Sequence, residues 1–269
     1  MDHHEVGRMW NANAPAWTEL ARAGYDTYRD HVNTPAFFAL LPQVKGRVGL
    51  DIGCGEGHNT RLLAERGARL TAIDISAAFI AEAQATEREK PLGIDYRLAS
   101  AVALPFADAA FDFATGFMSF MDIPEQQQVI REAHRVLKPD GFLQFSICHP
   151  CFQTPHWQWV SDESGARRSV LCGDYFSERQ GVVDEWIFGA APTEAKARLA
   201  KFKIPVFFRT LSTWLNWLIA AGFVLEGLAE PTADAATVAA HPELADTRQV
   251  AYFLILRCRK PGRTDRPRA

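Results

Sequence analysis

The chain of 269 residues is 48% hydrophobic and 23% charged, enough to bury a substantial core without disulfide staples. A net charge of −3 gives the molecule as a whole no electrostatic attraction to nucleic acid. Five scattered cysteines form no paired framework, and no apolar run resembles a signal peptide or a membrane span. We therefore expect a cytoplasmic monomer or homodimer with no membrane or nucleic-acid partner.

The first 45 residues (1–45) are predicted to form a helical lid over an edge of the fold, because helical pieces with several aromatic residues run from Met9 to Leu41. Tyr25, Tyr28 and Arg29 stand together in the segment GYDTYRD. They form either a mobile segment that closes over a cofactor, with Arg29 pairing to a cofactor carboxylate, or an ordinary surface helix. Both interpretations remain open.

Residues 46–147 alternate between predicted strands and helices. Short apolar or β-branched runs alternate with segments of helical spacing, and Ser76 is placed to cap one helix. The predicted strands are 48–52, 69–75, 94–98, 111–116 and 142–147, and the predicted helices are 59–66, 77–90 and 124–137. This alternation is typical of an α/β fold with a parallel sheet between helices.

The alternation stops at residue 148. Residues 148–208 are rich in aromatic side chains, and we interpret them as an inserted cap that binds the substrate, with Trp157 and Trp186 as candidate contacts. The core resumes over residues 209–258, with a helix capped by Thr210 and two strands. The locally basic tail, 259–269, is expected to be disordered.

The segment VGLDIGCGEGHNT, residues 48–60, carries the chemical signal. Gly53, Gly55 and Gly57 remove side chains where a backbone turns tightly from strand to helix and approaches a ligand. The spacing G-x-G-x-G differs from the dinucleotide fingerprint, because His58 occupies the place of that fingerprint's last glycine. A dehydrogenase is therefore disfavoured.

Two acidic residues accompany the glycines. Asp51 precedes the loop, where it would repel a pyrophosphate but attract the ammonium and sulfonium charges of S-adenosylmethionine. Asp74 ends the second predicted strand, close to the offset of about 20 residues at which an acidic residue meets ribose hydroxyls in nucleotide folds.

These motifs resemble the class I S-adenosylmethionine-dependent methyltransferases, in particular the small-molecule, type 11-like branch. The matching segments, in order, are DIGCGEG at 51–57, AIDIS at 72–76, ALPFADAAFDF at 103–113 and RVLKPDGFL at 135–143. The resemblance implies S-adenosylmethionine as cofactor and a Rossmann-like sheet of seven strands. That sheet would be mostly parallel, with an antiparallel last strand near 250–257, and the inserted cap would be an addition to it.

The resemblance also implies roles for single residues. Gly53 and Gly55 would line the methionine end of the cofactor, and Asp74 would accept hydrogen bonds from both ribose hydroxyls. Ser100 stands where relatives often have Asp, so a hydroxyl would replace the usual carboxylate contact to adenine. The other implied or predicted cofactor contacts are Asp51, Gly57, Ile75, Ala101, Phe117, Tyr25 and Arg29.

The implied reaction is an in-line displacement, in which N, O, S or C of a small organic acceptor attacks the sulfonium methyl group. The protein would contribute mainly alignment. His149, which follows the fifth predicted strand, is the candidate general base and acceptor contact, because its ordinary pKa of about 6.5 suits that role. Alternatively, His149 only hydrogen-bonds to the neighbouring loop.

Cys148, His149 and Cys151 do not match the paired spacing of zinc sites, so we expect no metal. Two other functions stay open. One alternative is a catalytically idle protein that binds S-adenosylmethionine or S-adenosylhomocysteine. The other is an RNA methyltransferase in which Cys151 adds covalently to a base.

Overall fold

A computed structural model describes residues 1–165 and 167–262. The strands within these ranges are β1 (Val48–Ile52), β2 (Arg69–Asp74), β3 (Asp95–Leu98), β4 (Phe111–Phe117), β5 (Leu137–Cys148), β6 (His156–Ser161), β7 (Arg167–Gly173), β8 (Val182–Trp186), β9 (Phe202–Val206), β10 (Val224–Ala229) and β11 (Phe253–Arg259). The helices are α1 (His3–Arg22), α2 (Thr34–Leu40), α3 (His58–Glu65), α4 (Ala77–Glu89), α5 (Gln126–Val136), α6 (Thr193–Arg198), α7 (Leu211–Ala220) and α8 (Ala235–Ala240). A π-helical turn covers Arg29–Asn33, and 3₁₀ turns cover Phe120–Asp122 and Pro242–Arg248.

The central sheet has seven strands in the order β10-β11-β5-β4-β1-β2-β3. Strand β1 pairs in parallel with β2 and β4, and β4 pairs in parallel with β5. Strand β11 runs antiparallel between β5 and β10, which confirms the predicted mostly parallel sheet with an antiparallel last strand. The strand order reverses at β1, so a crevice forms at the carboxyl ends of β1 and β4, where ligands bind in open α/β sheets.

Side chains of the strands alternate between two buried layers. Ala114 of β4 packs in the layer that contains Val129 and Ile130 of α5. Its neighbour Phe113 faces the opposite layer, with Leu63 of α3. Both faces of the sheet are therefore covered by helices, as the alternation of strands and helices predicted.

Helix α1 begins at His3, six residues before the predicted helical region. A capping box starts it: the Asp2 carboxylate accepts from the Glu5 N–H at 2.8 Å, and the Glu5 carboxylate accepts from the Asp2 N–H at 2.9 Å. The Asn13 side-chain amide donates to the Lys203 carbonyl at 2.9 Å, and α1 also packs on α4. Helix α1 thus lies across the carboxyl edge of the sheet, between the core and the cap.

Two antiparallel hairpins form the segment between β5 and α7 that the sequence marked as a cap. One pairs β6 with β7, and the other pairs β8 with β9. The Thr210 hydroxyl accepts from the Thr213 N–H at 3.2 Å and starts α7, as predicted. The Ser76 hydroxyl starts α4 in the same way, through the Phe79 N–H.

The segment predicted to be a disordered tail starts at residue 259, where the structure still has a strand. Arg259 ends β11, and the Lys260 ammonium group donates to the carbonyls of His134 and Leu137 at 2.8 and 2.7 Å. Residues 263–269, which carry the rest of that prediction, lie outside the described residues. Among the described helices, none is long and apolar enough to cross a membrane.

Candidate functional site

A cavity of about 1370 Å³ opens at the carboxyl ends of β1, β2 and β4. The loop after β1 and the end of β2 form one part of its lining, α1 and residues 25–29 form another, and the cap hairpins form a third. Pockets for drug-sized ligands are typically about 300–1,000 Å³. The cavity therefore has room for a nucleoside-sized cofactor and a second small molecule side by side.

The glycine loop after β1 presents bare backbone to this cavity. Gly53 and Gly55 adopt left-handed φ angles of 76° and 55°, which glycine tolerates at the lowest cost. A Cβ atom on Gly53 would lie 2.3 Å from Ser119 Cβ, whereas a Cβ atom on Gly55 would meet nothing within 4 Å. Gly53 is thus required for packing, and Gly55 borders the open space that a ligand would fill.

Asp74 fixes this loop and keeps capacity for a ligand. Its carboxylate accepts from the Gly55 N–H at 2.9 Å and from the Ser76 N–H at 2.8 Å. Burial raises the pKa of Asp74, and these backbone N–H groups oppose that shift. Because an ionised carboxylate offers about four acceptor positions, Asp74 can still accept from a hydroxyl donor in the cavity.

Asp51 lies at the end of β1 beneath the loop and is 1% exposed. It accepts from the Thr60 hydroxyl at 2.6 Å and from the Thr115 hydroxyl at 2.8 Å. Burial raises the pKa of Asp51 to about 6, against the lowering effect of the two hydroxyls. Asp51 also lines the cavity, where a cation would favour its ionised form.

The residues predicted to surround a nucleoside also line the cavity. Ile75, Ser100 and Ala101 follow β2 and β3, and Phe117 ends β4. The Ser100 hydroxyl accepts from the Val102 N–H at 3.3 Å, and this bond stabilises the turn after β3. The structure brings these residues together with Asp74, while the contacts predicted for them remain predictions.

Gly57 differs from the other predicted contacts, because it does not border the cavity. Its backbone has a φ angle of 91°, and a Cβ atom there would lie 2.6 Å from the Tyr96 hydroxyl oxygen. Close packing against β3 explains this glycine.

Tyr25 and Arg29 both line the cavity, but Arg29 already has carboxylate partners. Its guanidinium donates to Asp30 at 2.7 Å and lies 3.6 Å from Glu56 and 3.8 Å from Asp26. Burial raises the pKa of Asp26 to about 6, and Arg29 opposes this shift. A cofactor carboxylate would have to share Arg29 with these acidic groups.

Aromatic side chains line the outer part of the cavity. Trp186, at the end of β8, lies 5.7 Å from both Trp17 and Phe188 between ring centroids. Trp157, on β6, also lines the cavity, and its indole N–H is buried without a hydrogen-bond partner among the described residues. Both tryptophans predicted to contact the acceptor thus face the space beyond the glycine loop.

His149 does not border this cavity and is 2% exposed. Its Nε2 atom lies 2.7 Å from a Glu230 carboxylate oxygen, and its Nδ1 atom accepts from the Cys151 N–H at 3.2 Å. With both ring nitrogens engaged, His149 connects the end of β5 to the chain after β10. This placement favours the alternative of a loop-bonding histidine over the predicted general base and acceptor contact.

Cys151 is also turned away from the cavity lining. Its sulfur faces the Tyr175 hydroxyl at 4.0 Å. Cys148 does line the cavity, but burial, together with the nearby Asp122 carboxylate, raises the pKa of its thiol to about 12. The structure therefore gives no activated thiolate at this point.

Two groups in the cavity wall were not predicted from the sequence. Asp122, in the 3₁₀ turn after β4, is 9% exposed, and Arg209, after β9, is 7% exposed. The Arg209 guanidinium donates to the carbonyls of Arg179 and Phe208 and to the Gln180 amide oxygen. Asp122 follows a strand whose carboxyl end borders the ligand site, but no motif in the sequence marks it as a site residue.

Asp246 was not predicted from the sequence either. Its carboxylate accepts from the hydroxyls of Tyr28 at 2.9 Å and Tyr252 at 2.8 Å, and it pairs with Arg167 at 2.9 Å. This group joins the N-terminal segment, the first cap hairpin and the chain before β11 at one side of the cavity.

Known proteins share both the sequence pattern and the fold. The family model described as Methyltransferase domain matches residues 50–145. The ubiquinone biosynthesis O-methyltransferase of Pseudomonas entomophila is 36% identical over 102 residues, which are 38% of this chain and 44% of that protein. The chain thus spans less than half the length of the curated relatives that it matches.

Two solved structures share the fold. An S-adenosylmethionine dependent methyltransferase from Mesorhizobium loti is 30% identical with a TM-score of 0.68, and the match covers 84% of this chain and 96% of that one. The 1,6-didemethyltoxoflavin-N1-methyltransferase of Burkholderia thailandensis, solved with S-adenosylhomocysteine, is 16% identical with a TM-score of 0.56 over 96% and 90%. The second likeness concerns the fold alone.

Proposed function

Because the chain belongs to the S-adenosylmethionine-dependent methyltransferases, we propose that it transfers the methyl group of S-adenosylmethionine to a small organic acceptor. The acceptor atom is N, O, S or C. The observation that carries the proposal is one continuous cavity, lined at one end by Gly55 and Asp74 and at the other by Trp157 and Trp186. A cofactor and an acceptor can therefore lie in contact, which methyl transfer requires.

The donor groups at the inner end fit S-adenosylmethionine. Asp74 has free acceptor positions for the ribose hydroxyls, and the space at Gly55 is open to the methionine chain. Asp51 provides a buried negative charge for the ammonium group. When bound, S-adenosylmethionine supplies an electrophilic methyl group on a sulfonium, so the protein's own task is to hold the acceptor in line and exclude water.

Thermal unfolding tests the cofactor assignment. S-adenosylhomocysteine at 100 times its dissociation constant should stabilise the protein by roughly 2.7 kcal/mol and raise the melting temperature, whereas NAD at the same concentration should not. The difference is expected because the loop lacks the dinucleotide spacing and because Asp51 repels a pyrophosphate. A shift of equal size with NAD would contradict the assignment.

The affinity for S-adenosylhomocysteine should depend on pH through Asp51. The free protein holds this carboxyl with a pKa of about 6, and a bound ammonium group favours the carboxylate. Binding is therefore expected to be constant above pH 7 and to weaken by up to roughly tenfold per pH unit below about 6. Calorimetric titrations between pH 5 and pH 8 would measure this change.

Asp26 is the control for this measurement, since its pKa also lies at about 6 and it also lines the cavity. The Asp51→Asn variant should bind more weakly and lose the pH dependence, while Asp26→Asn should retain it. If Asp26→Asn alone removes the pH dependence, Asp51 is not the group that meets the ammonium.

The cap tryptophans should affect the acceptor and leave the cofactor alone. Trp157→Ala is expected to raise the Michaelis constant of the acceptor roughly 5- to 30-fold, because about 1 to 2 kcal/mol of apolar contact is lost. Val160→Ala is the control on the same strand, since Val160 is exposed and does not line the cavity. An equal loss of affinity for S-adenosylhomocysteine in Trp157→Ala would make the cap structural.

A survey of amines, phenols, thiols and carboxylates with methyl-labelled cofactor separates this proposal from a catalytically idle binder. Turnover of any of them excludes the idle alternative. RNA methylation through Cys151 predicts a trapped protein–RNA adduct that Cys151→Ser abolishes. The orientation of Cys151 towards Tyr175 does not favour that chemistry.

A further inference from the structure

Asp122 is a buried carboxyl that none of the described residues neutralises. It is 9% exposed, and among residues 1–165 and 167–262 none donates a hydrogen bond to its carboxylate or pairs with it. Burial alone raises its pKa well above the ordinary value. Leaving a buried acidic group unpaired costs stability, so its retention is typical of a group that a ligand completes.

Asp122 lines the cavity, close to the glycine loop. Its backbone N–H donates to the Ser119 carbonyl at 3.1 Å, and the Ser119 hydroxyl donates to the Ile52 carbonyl at 2.6 Å. Ser119 is also the residue that packs against Gly53. Asp122 is therefore one short turn away from the loop proposed to hold the methionine end of the cofactor.

Asp122 also lies near Cys148 and near the chain that leads to Arg209. The Asp122 charge contributes to the raised pKa of the Cys148 thiol, at the carboxyl end of β5. The Gln126 side chain donates to the carbonyls of Met121 and Phe207, which holds the turn against the chain that leads to Arg209. The turn that carries Asp122 is thus held in place beside the cavity.

We propose that Asp122 is the general base of the reaction and that the acceptor is a phenol or an amine whose attacking atom carries a proton. This inference rests on the proposed methyl transfer. The acceptor oxygen or nitrogen forms a bond to the methyl carbon as the carbon–sulfur bond breaks, and its proton passes to a carboxylate oxygen of Asp122. The products of this step are S-adenosylhomocysteine, the methylated acceptor and a protonated Asp122. Asp122 then loses its proton to solvent.

The same geometry disfavours carboxylate acceptors. A carboxylate nucleophile has no proton to donate to Asp122, and two like charges in a desolvated cavity repel each other. Trp157 and Trp186 in the cavity wall can pack against an acceptor that has a planar ring. A phenol or an aromatic amine matches both requirements.

The test compares Asp122→Asn and Asp122→Ala with wild type on phenol, catechol, aniline, 4-nitrophenol and benzoate, using methyl-labelled cofactor. Asp122→Asn should lower kcat roughly 10²- to 10⁴-fold on un-ionised phenols, the range that general-base catalysis supplies. The loss should be only a few-fold for 4-nitrophenol above neutral pH, because that acceptor is already ionised. Asp95→Asn, an exposed carboxylate change on β3, is the matched control and should leave kcat unchanged.

A binding measurement shows whether the variants are intact. With S-adenosylhomocysteine present, catechol should bind Asp122→Asn within a few-fold of wild type, because an amide oxygen still accepts a hydrogen bond, and bind Asp122→Ala more weakly. Both variants should bind S-adenosylhomocysteine as wild type does. Should Asp122→Asn fail to fold, Asp122→Ala alone must show the difference between phenol and 4-nitrophenol.

The proposal is overturned if Asp122→Asn keeps its turnover, or if the loss is equal for phenol and 4-nitrophenol. Transfer to benzoate alone, or to none of the probes while S-adenosylhomocysteine still binds, would also overturn it. If His149→Asn loses turnover and the Asp122 variants do not, His149 is the general base, as predicted from the sequence. Failure of S-adenosylhomocysteine to bind wild type would instead contradict the proposed function.

Discussion

Replacing Asp74 with Ala should weaken the binding of S-adenosylhomocysteine by roughly 1 to 3 kcal/mol, or about 5- to 150-fold. The carboxylate is the group placed to accept both ribose hydroxyls, and charge-assisted hydrogen bonds are worth more than neutral ones. Loss of the carboxylate also removes the hydrogen bond from the Gly55 N–H, and this bond holds the glycine loop in shape. Isothermal titration calorimetry of the purified variant measures the change.

Two controls separate the ribose contact from a general disturbance of the fold. Asp95→Ala removes an exposed carboxylate on the neighbouring strand β3 and should not alter the affinity. A 2′-deoxy analogue of S-adenosylhomocysteine should lose affinity for wild type but lose little more for Asp74→Ala, since the partner is already gone. If the two losses simply add, Asp74 does not contact that hydroxyl.

Gly53→Ala should destabilise the protein by about 2 to 5 kcal/mol and abolish measurable cofactor binding. A left-handed backbone costs a non-glycine residue about 1–2 kcal/mol, and forcing a methyl group against Ser119 adds about 1–3 kcal/mol. The loop would shift to relieve this contact, and the Gly53 N–H bond to the Ile73 carbonyl would be strained. Urea unfolding and calorimetry report the two effects.

Gly46→Ala is the matched control for this variant. Gly46 has a φ angle of 78°, close to the 76° of Gly53, but a Cβ atom there would meet nothing within 4 Å. Only the backbone cost of about 1–2 kcal/mol is expected, with normal cofactor binding. Equal destabilisation by the two changes would mean that Ser119 can move away from the new methyl group at no cost in stability.

The cofactor half of the site could be predicted because its signals are local. Asp51, the glycines and Asp74 lie within one strand-helix-strand unit, and parallel pairing brings the ends of β1 and β2 to the same edge. The strand and helix pattern of the core was predicted for the same reason. The helices there bury one face and the strands are short runs of buried residues, so both patterns are visible in the sequence.

The acceptor half depends on contacts between distant parts of the chain. The strand pattern placed His149 at the carboxyl edge, but Glu230, 81 residues later, engages its ring away from the cavity. Asp122 has no local motif, and its importance comes from the neighbours that bury it without pairing it. No spacing rule predicts either arrangement.

Weak periodicity explains the missed elements. All five residues of β8 are exposed, so the strand shows no alternation of buried and exposed positions. Helix α8 has no buried residue and is capped by Asp234, whose carboxylate accepts from the Thr237 N–H at 2.7 Å. The capping box at Asp2 and Glu5, by contrast, was visible in the sequence and could have extended α1 to His3.

The antiparallel strand β11 determines when the protein can finish folding during synthesis. Strand β11 hydrogen-bonds to β5 on one side and to β10 on the other, yet its first residue, Phe253, follows Cys148 by more than 100 positions. Until the ribosome has released that segment, the emerging chain exposes the unpaired edge of β5, an apolar strand prone to pairing with other chains. A nonsense mutation before Phe253 should therefore yield aggregates and no soluble cofactor-binding fragment.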